Sequence, residues 1–395
     1  MNEADAAWRL GQTDVPYIET SYILVDPNSD EQTMDALLEP AARLLQTSML
    51  VAMPTETVYG LAANALDEEA VRRIYLAKGR PQDNPMIVHV DSVEAMLPLV
   101  QSWSIWAERL AERFMPGPLT LILPKSDLIS NTVSGGLDTV GLRMPSHPVA
   151  RRLLRLSGLP LAAPSANRSG RPSPTEAAHV LADLDSRIDC IIDGGTTTVG
   201  LESTVLDLTA ARGPRILRPG AVTFEDLSAF FLELREEDWP FQDEDWMSWL
   251  RGDSLADLKA DDASIVPRSP GMKYRHYAPR AAVVVLRKSD ASSWSERIQA
   301  AGAKRVGLYA SRELVEQINS DDFHMIHCFG SRERADLASH DLFMAFRAFD
   351  EAGCEMIFAE ELDEHDLGRA YMNRLNKAAS GINKVKNQTE GDDYV

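Results

Sequence analysis

The residues of this chain best suited to chemistry stand in polar loops, each beside an apolar run that reads as a strand. In MPTETVYGLAANA (53–65), Thr55, Glu56 and Thr57 lie between a proline and Gly60, a pattern that alone is an ordinary strand exit and turn. In AKGRPQDNPMIVHV (77–90), Lys78, Arg80 and Asn84 gather around two prolines, and His89 alternates out of the strand that follows. A lysine at a helix C-terminus is favoured by the helix dipole whatever else it does. Lys and Arg two residues apart in a proline-stiffened loop also make a triphosphate clamp built of side chains. His89, taken alone, reads as a satisfied half-buried histidine. Arg143, inside the apolar run TVGLRMP, needs a buried anion from the protein or from a substrate. Ser173 opens Ser-Pro-Thr-Glu, a capping box that competes with any ligand role, although a helix N-terminus also receives anions. The segment DGGTTTVGLESTVLDL (193–208) reads as a backbone-tight, hydroxyl-rich pocket wall, and Arg218 in ILRPG offers a second phosphate contact.

Several familiar devices are missing: GxxxxGK[ST], GxGxxG, HExxH and GxSxG do not occur. His324, His327 and Cys328 fall on a strand whose alternation sends them to different faces, so a metal site is not expected there.

The elements that must position these loops follow from pattern. MLVAMP (49–54), LTLILP (119–124), TVGLRMP (139–145), LPLAAP (159–164), DCIID (189–193) and STVLDL (203–208) read as strands, several ending at proline. DEEAVRRIYLAKG reads as a helix with Asp67 as N-cap and Gly79 as its stop. Pro40 either kinks or begins the amphipathic helix around it. Tyr22–Val25 can add an edge strand. After residue 280, AVVVL (282–286), RVGLY (305–309) and EMIFAE (355–360) alternate with helical patterns, which predicts a small parallel α/β domain without a dinucleotide turn.

A chain of 395 residues is long enough for two cores. Its net charge of −20 does not suit a nucleic-acid coat. Residues 225–262 carry thirteen acids against three bases, so the remainder is closer to neutral and leaves room for a basic cleft. Three scattered cysteines, an acidic N-terminus and no apolar run of 18 residues predict a cytoplasmic protein with no membrane span and no disulfide framework.

In order, the motifs PTETVYGLAANA, KGRPQDNPMIVHV, PGPLTLIL, VGLRMPSHP, APSANRSGRPSPT, DGGTTTVGLESTVLDL and ILRPG resemble the YrdC-like threonylcarbamoyl-AMP synthase family. SPGMKYRHYAP and LGRAYMNRLNKAA resemble its long, two-domain members. The resemblance implies an α/β fold: a twisted mixed-sheet YrdC-like catalytic domain around a positive cavity, then a smaller Rossmann-like parallel α/β domain. The divisions expected are an N-terminal extension (1–32), the catalytic domain (33–225), an acidic insertion and linker or lid (226–280) and the C-terminal domain (281–395). It implies a nucleotidyltransferase that makes L-threonylcarbamoyl-AMP and pyrophosphate from L-threonine, bicarbonate (or CO2) and ATP, with Mg²⁺ carried by ATP. A partner enzyme would transfer the product to tRNA beside the anticodon, with no stable tRNA binding by this chain. Position by position, threonine falls to Thr57, His89, Arg143, Ala163 and Ser203. ATP falls to Arg80, Asn84, Thr139, Ser165, Ser173, Arg218 and Tyr277, with Lys78 and Arg80 as the catalytic cations. Two other readings stay open: an RNA-holding module without catalysis, and a relative handling carbamoyl-adenylate, whose zinc-finger-like cysteine spacing this chain lacks.

Overall fold

The computed structural model describes residues 18–234, 241, 244–252, 277–288, 296 and 305–380. Ten short strands form the first sheet: β1 (Ser21–Leu24), β2 (Val51–Met53), β3 (Gly60–Asn64), β4 (Ile87–His89), β5 (Leu119–Pro124), β6 (Thr139–Arg143), β7 (Leu161–Ala162), β8 (Cys190–Asp193), β9 (Thr204–Asp207) and β10 (Arg215–Arg218). Their order is β1-β8-β2-β3-β7-β4-β6-β5-β9-β10. The sheet is mixed: β4 runs parallel to β6 but antiparallel to β7, and β5 runs parallel to β9 but antiparallel to β6. Both faces are buried at most of these strands, which is why they read as continuous apolar runs. The edge strand β1 pairs with β8, so Tyr22–Leu24 do extend the sheet.

Helix starts follow their caps. The helix Glu31–Gln46 begins at Asp30, whose carboxylate accepts from the Thr33 N–H, and it runs through Pro40 rather than starting there. Pro40 is exposed, so the backbone bond it removes lies on the solvent side, where water substitutes. Asp67 caps Glu68–Lys78, and Gly79 ends it in the left-handed region at φ 63°, as expected. Ser173 does not cap a helix. The next helix, Ala177–Leu184, starts later at Glu176 without a side-chain cap, and the Ser173 hydroxyl is directed elsewhere.

The acidic, tryptophan-rich stretch has a partly structural explanation. Phe241, Trp246 and Leu250 enter the first domain's core together with Phe230 and Phe231 from the helix Phe224–Glu233. Their rings meet at 5.0–5.2 Å between centroids, and Trp249 lies beneath Arg212 and Arg215. Acidic residues of the stretch at 235–240, 242–243 and 253–262 lie outside the described residues.

The second sheet, β11 (Ala282–Leu286), β12 (Val306–Ala310), β13 (Met325–Cys328) and β14 (Met356–Glu360), is all parallel in the order β11-β14-β12-β13. The helices Ala335–Glu351 and Leu367–Ala379 pack on it through Phe343, Phe346, Phe349 and Tyr371, and the first domain's Val58 and Leu201 join the same core. His327 and Cys328 occupy β13 as expected, with His324 just before it.

Polar bolts reinforce this interface. Arg347 donates to both oxygens of Asp183 at 2.9 and 3.4 Å and to the Pro172 carbonyl at 2.6 Å. Arg374 pairs with Glu202 at 3.0 Å. The His340 ring meets the Thr197 carbonyl at 2.9 Å. Gly200, at φ 78°, sits so close to the backbone of His340 that a Cβ would fall 2.3 Å from its carbonyl oxygen. Only glycine fits both constraints.

Burial pushes the Asp183 carboxyl up, but Arg347 and Arg171 outweigh it and hold the group below its usual range. Arg347→Met should therefore cost about 3 kcal/mol, the low end for breaking a buried pair because Arg171 remains. The double variant Arg347→Met/Asp183→Leu should recover much of it. Urea unfolding of the three proteins checks this; equal stability of wild type and Arg347→Met would show the pair to be energetically idle.

Candidate functional site

Strand register assembles the site. Because β4 and β6 pair in parallel, His89 stands directly beside Arg143. Strand β7 lies against β4, and the N–H of Ala163, just past β7, donates to the Ile87 carbonyl at 3.0 Å. Ser203 precedes β9, where its hydroxyl meets that of Thr120 on the neighbouring β5 at 2.8 Å. Between β2 and β3 the chain turns through Thr55, whose hydroxyl accepts from the N–H groups of Thr57 and Val58 at 3.2 Å and donates to the Val58 carbonyl at 2.6 Å. This hydroxyl-closed turn presents Thr57 to the same space.

The result is one cavity, enclosing about 570 Å³ when the open solvent at its mouth is counted. Thr57, Arg80, His89, Arg143, Ala163, Ser165, Ser203, Arg218 and Tyr277 all line it. Four other candidates do not. Lys78 is buried in the wall, with its ammonium donating to the carbonyls of Ser165 and Asn167, so it holds the serine-rich loop rather than facing the cavity. Asn84 is buried, and its backbone carbonyl accepts from Arg80 Nε at 3.3 Å. Thr139 lines a small separate pocket with Pro85 and Gly141. Ser173 stands behind the wall, donating to Glu202 at 2.5 Å.

Electrostatically the cavity is positive but partly compensated. Arg143 finds its buried anion in the protein: Nη2 donates to Glu56 Oε1 at 2.7 Å, and Nε to the Gly117 carbonyl at 3.3 Å. Burial pushes the Glu56 carboxyl up, and Arg143 overrides it, so Glu56 stays ionised. Of the two partners the sequence leaves open, a protein carboxylate and a substrate, the protein's Glu56 is the one that orients this guanidinium. Burial, with Arg143 alongside, lowers His89 to about 3, and its Nδ1 is buried without a hydrogen-bond partner. His89 is therefore a neutral imidazole facing the cavity. Arg80 is lowered to about 10 by burial and still charged; it is held by the Pro85 carbonyl at 2.8 Å. Arg218 donates to the Ser203 carbonyl and hydroxyl at 3.0 and 3.1 Å. Tyr277 stacks on Phe343 at 5.4 Å; the rest of the linker read as a lid, 253–276, lies outside the described residues.

Sequence reasoning missed Glu202 as a named contributor. It lines the cavity between Leu201 and Ser203 with both oxygens engaged, by Ser173 and by Arg374. An acid next to the hydroxyls of Glu-Ser-Thr was visible, but not that its counter-charge comes from residue 374. Among the described residues no group of three or more His, Cys, Asp or Glu could hold a metal, so the residues present do not form a resident cage.

Comparisons with known proteins agree on one family. The Sua5/YciO/YrdC family model, described as "Telomere recombination", matches residues 43–220, and the model "Threonylcarbamoyl-AMP synthase, C-terminal domain" matches residues 222–380. The threonylcarbamoyl-AMP synthase of Pyrococcus abyssi is 43% identical over 359 residues, 91% of this chain and 98% of that protein. That of Bacillus subtilis is 42% identical over 371 residues, 92% and 99% of the two chains. The crystal structure of P. abyssi Sua5 complexed with L-threonine superposes with a TM-score of 0.77 at 41% identity, covering 91% of this chain and 98% of that one. With both of its domains matched, the chain belongs to the threonylcarbamoyl-AMP synthase family.

Proposed function

We propose that the cavity holds L-threonine and ATP side by side, and that the chain joins them with bicarbonate or CO2 into L-threonylcarbamoyl-AMP, releasing pyrophosphate. One observation carries the reading: a small polar patch of Thr57, His89, Arg143 and Ser203 shares a single cavity with the guanidiniums of Arg80 and Arg218. The first patch suits an amino acid, the second a polyphosphate. Glu56 holds Arg143 in one orientation, which preorganises it for a substrate carboxylate. The neutral His89 offers a buried ring nitrogen to the substrate without adding charge beside the reacting amine.

Threonine's amine nitrogen bonds to the one-carbon unit to give a carbamate: with CO2 a C=O π bond opens and the amine loses a proton, and with bicarbonate a C–O bond breaks and water leaves. A carbamate oxygen then attacks the α-phosphorus of ATP, and the bond from that phosphorus to the β-phosphate oxygen breaks. No covalent nucleophile is required, so positioning and the buried guanidiniums supply most of the rate. Mg²⁺ carried by ATP would neutralise charge on the phosphates. The product is an activated mixed anhydride. A partner enzyme that moves its acyl group to tRNA beside the anticodon consumes it.

Pyrophosphate release should require ATP, threonine and bicarbonate together; release indifferent to threonine would sink the assignment. Arg80→Ala should lower kcat/KM by about 100-fold or more with the fold intact, by analogy with removing one oxyanion donor, and near-normal turnover would remove Arg80 from the site. Arg143→Ala should instead act chiefly through KM for threonine, which steady-state kinetics resolves.

His89 also predicts a pH dependence. Its folded pKa lies below the ordinary value near 6.5, so the unfolded chain binds the extra proton and stability falls as the solution is acidified. Between pH 6 and 4 this residue should remove about 1.4 kcal/mol per pH unit. His89→Gln should flatten the profile by that amount in urea unfolding; an unchanged slope would mean that His89 is solvated.

A further inference from the structure

We propose that Arg374, in the helix Leu367–Ala379 of the C-terminal domain, is a positioning residue for ATP in the catalytic domain's cavity. The proposal rests on the reading above. Arg374 is 0% exposed and does not line the cavity, so it acts only through what it holds.

What it holds is three separate segments of the cavity wall. Nε donates to Glu202 Oε2 at 3.0 Å and Nη2 to the Glu202 carbonyl at 3.2 Å. Nη1 donates to the Pro219 carbonyl at 2.6 Å. The guanidinium carbon lies 5.6 Å from the centroid of the Tyr277 ring. Each segment carries a residue that lines the cavity: Glu202 itself, Arg218 beside Pro219, and Tyr277. Glu202 fixes the Ser173 hydroxyl with its other oxygen. Pro219 follows Arg218, which in turn bonds to Ser203 and to Tyr277. Thr57 and Arg143, on the threonine side, have anchors of their own within the catalytic domain, Thr55 and Glu56.

Charge gives the second half of the argument. Burial raises the Glu202 carboxyl, and Arg374, followed by Arg218, reverses the effect and keeps it ionised. Without Arg374, Glu202 is left to Arg218 and to Lys377 on the same helix, and Arg218 would be drawn to the carboxylate and away from the cavity. A lysine cannot replace the planar fork, because one ammonium does not reach two carbonyls and a carboxylate in these directions. The C-terminal domain therefore tunes nucleotide binding from behind the wall.

The test uses the full chain with Arg374→Lys and Arg374→Met. Calorimetric ATP binding is measured without threonine, and pyrophosphate release is followed with each substrate varied. The expected result is an ATP Kd and KM raised at least tenfold, with KM for threonine raised by a much smaller factor, because Ser203 is tied to Arg218 while Thr57 and Arg143 are anchored apart. Glu202→Gln, added to Arg374→Met, should restore part of the ATP affinity by removing the uncompensated carboxylate. Arg218→Lys, at a residue that lines the cavity, should weaken ATP binding in the wild type and add little in the Arg374→Lys background. The proposal is overturned if both KM values rise by the same factor, if ATP binding is unchanged while the melting temperature drops, or if the effects simply add. Should Arg374→Met not fold, the Arg374→Lys and Arg218→Lys pair decides alone. A wild type without threonine-dependent release would defeat the assigned reaction, yet the ATP-binding comparison would still be read.

Discussion

Among the described carboxylates buried against arginines, three tie together pieces of chain far apart in sequence: Glu56 with Arg143, Asp183 with Arg347, and Glu202 with Arg374. A buried charge is tolerated only when paired and hydrogen-bonded, so each pair fixes where its two segments lie. The first sets the threonine side of the cavity. The other two set the angle at which the C-terminal domain meets the catalytic domain, with Gly200 permitting the closest approach of the two backbones. The apolar part of the interface, where Val58 and Leu201 enter the second core, supplies burial, while the arginines supply direction.

The cavity itself expresses a compromise. It must be positive enough for a triphosphate, yet stable without one. Arg143, Arg80 and Arg218 line it, and Glu202 shares the wall, while Glu56 restrains Arg143 from beside it. The protein's own carboxylates thus hold the guanidiniums in place, and ligand anions complete rather than create the charge balance. Short strands make this possible. Most of the functional residues stand at strand ends or one residue beyond, where neighbouring strands impose register and the loops remain free to converge.

Much of this was legible in the sequence because local rules sufficed. Asp67 and Gly79 mark a helix by cap and stop, and strands that run into proline mark where loops begin. Arg143 announced a buried anion by its apolar surroundings. The choice between Glu56 and a substrate was not legible, because it depends on how the β2–β3 turn folds over β6. Lys78 misled for a related reason. Its position two residues before Arg80 suggests a joint clamp, but the helix end directs its ammonium to the carbonyls of Ser165 and Asn167, 87 and 89 residues away. Ser173 satisfied a capping pattern locally and was claimed by Glu202 through the tertiary fold. Residues whose partners lie within one turn could be read; those whose partners lie across a domain could not.

The separation of Glu202 from Arg374 has a consequence for how the protein comes into being. The two lie 172 residues apart, so on a ribosome adding about 5–20 residues per second, the catalytic domain emerges roughly 10–30 s before the cation that completes its wall. Through that interval Glu202 has no Arg374, while Asp183 and then Tyr277 wait for Arg347 and Phe343. The nascent enzyme therefore waits, with its pocket unfinished, until the helix Leu367–Ala379 is made. Competence arrives with the C-terminal domain rather than with the folding of the domain that does the chemistry.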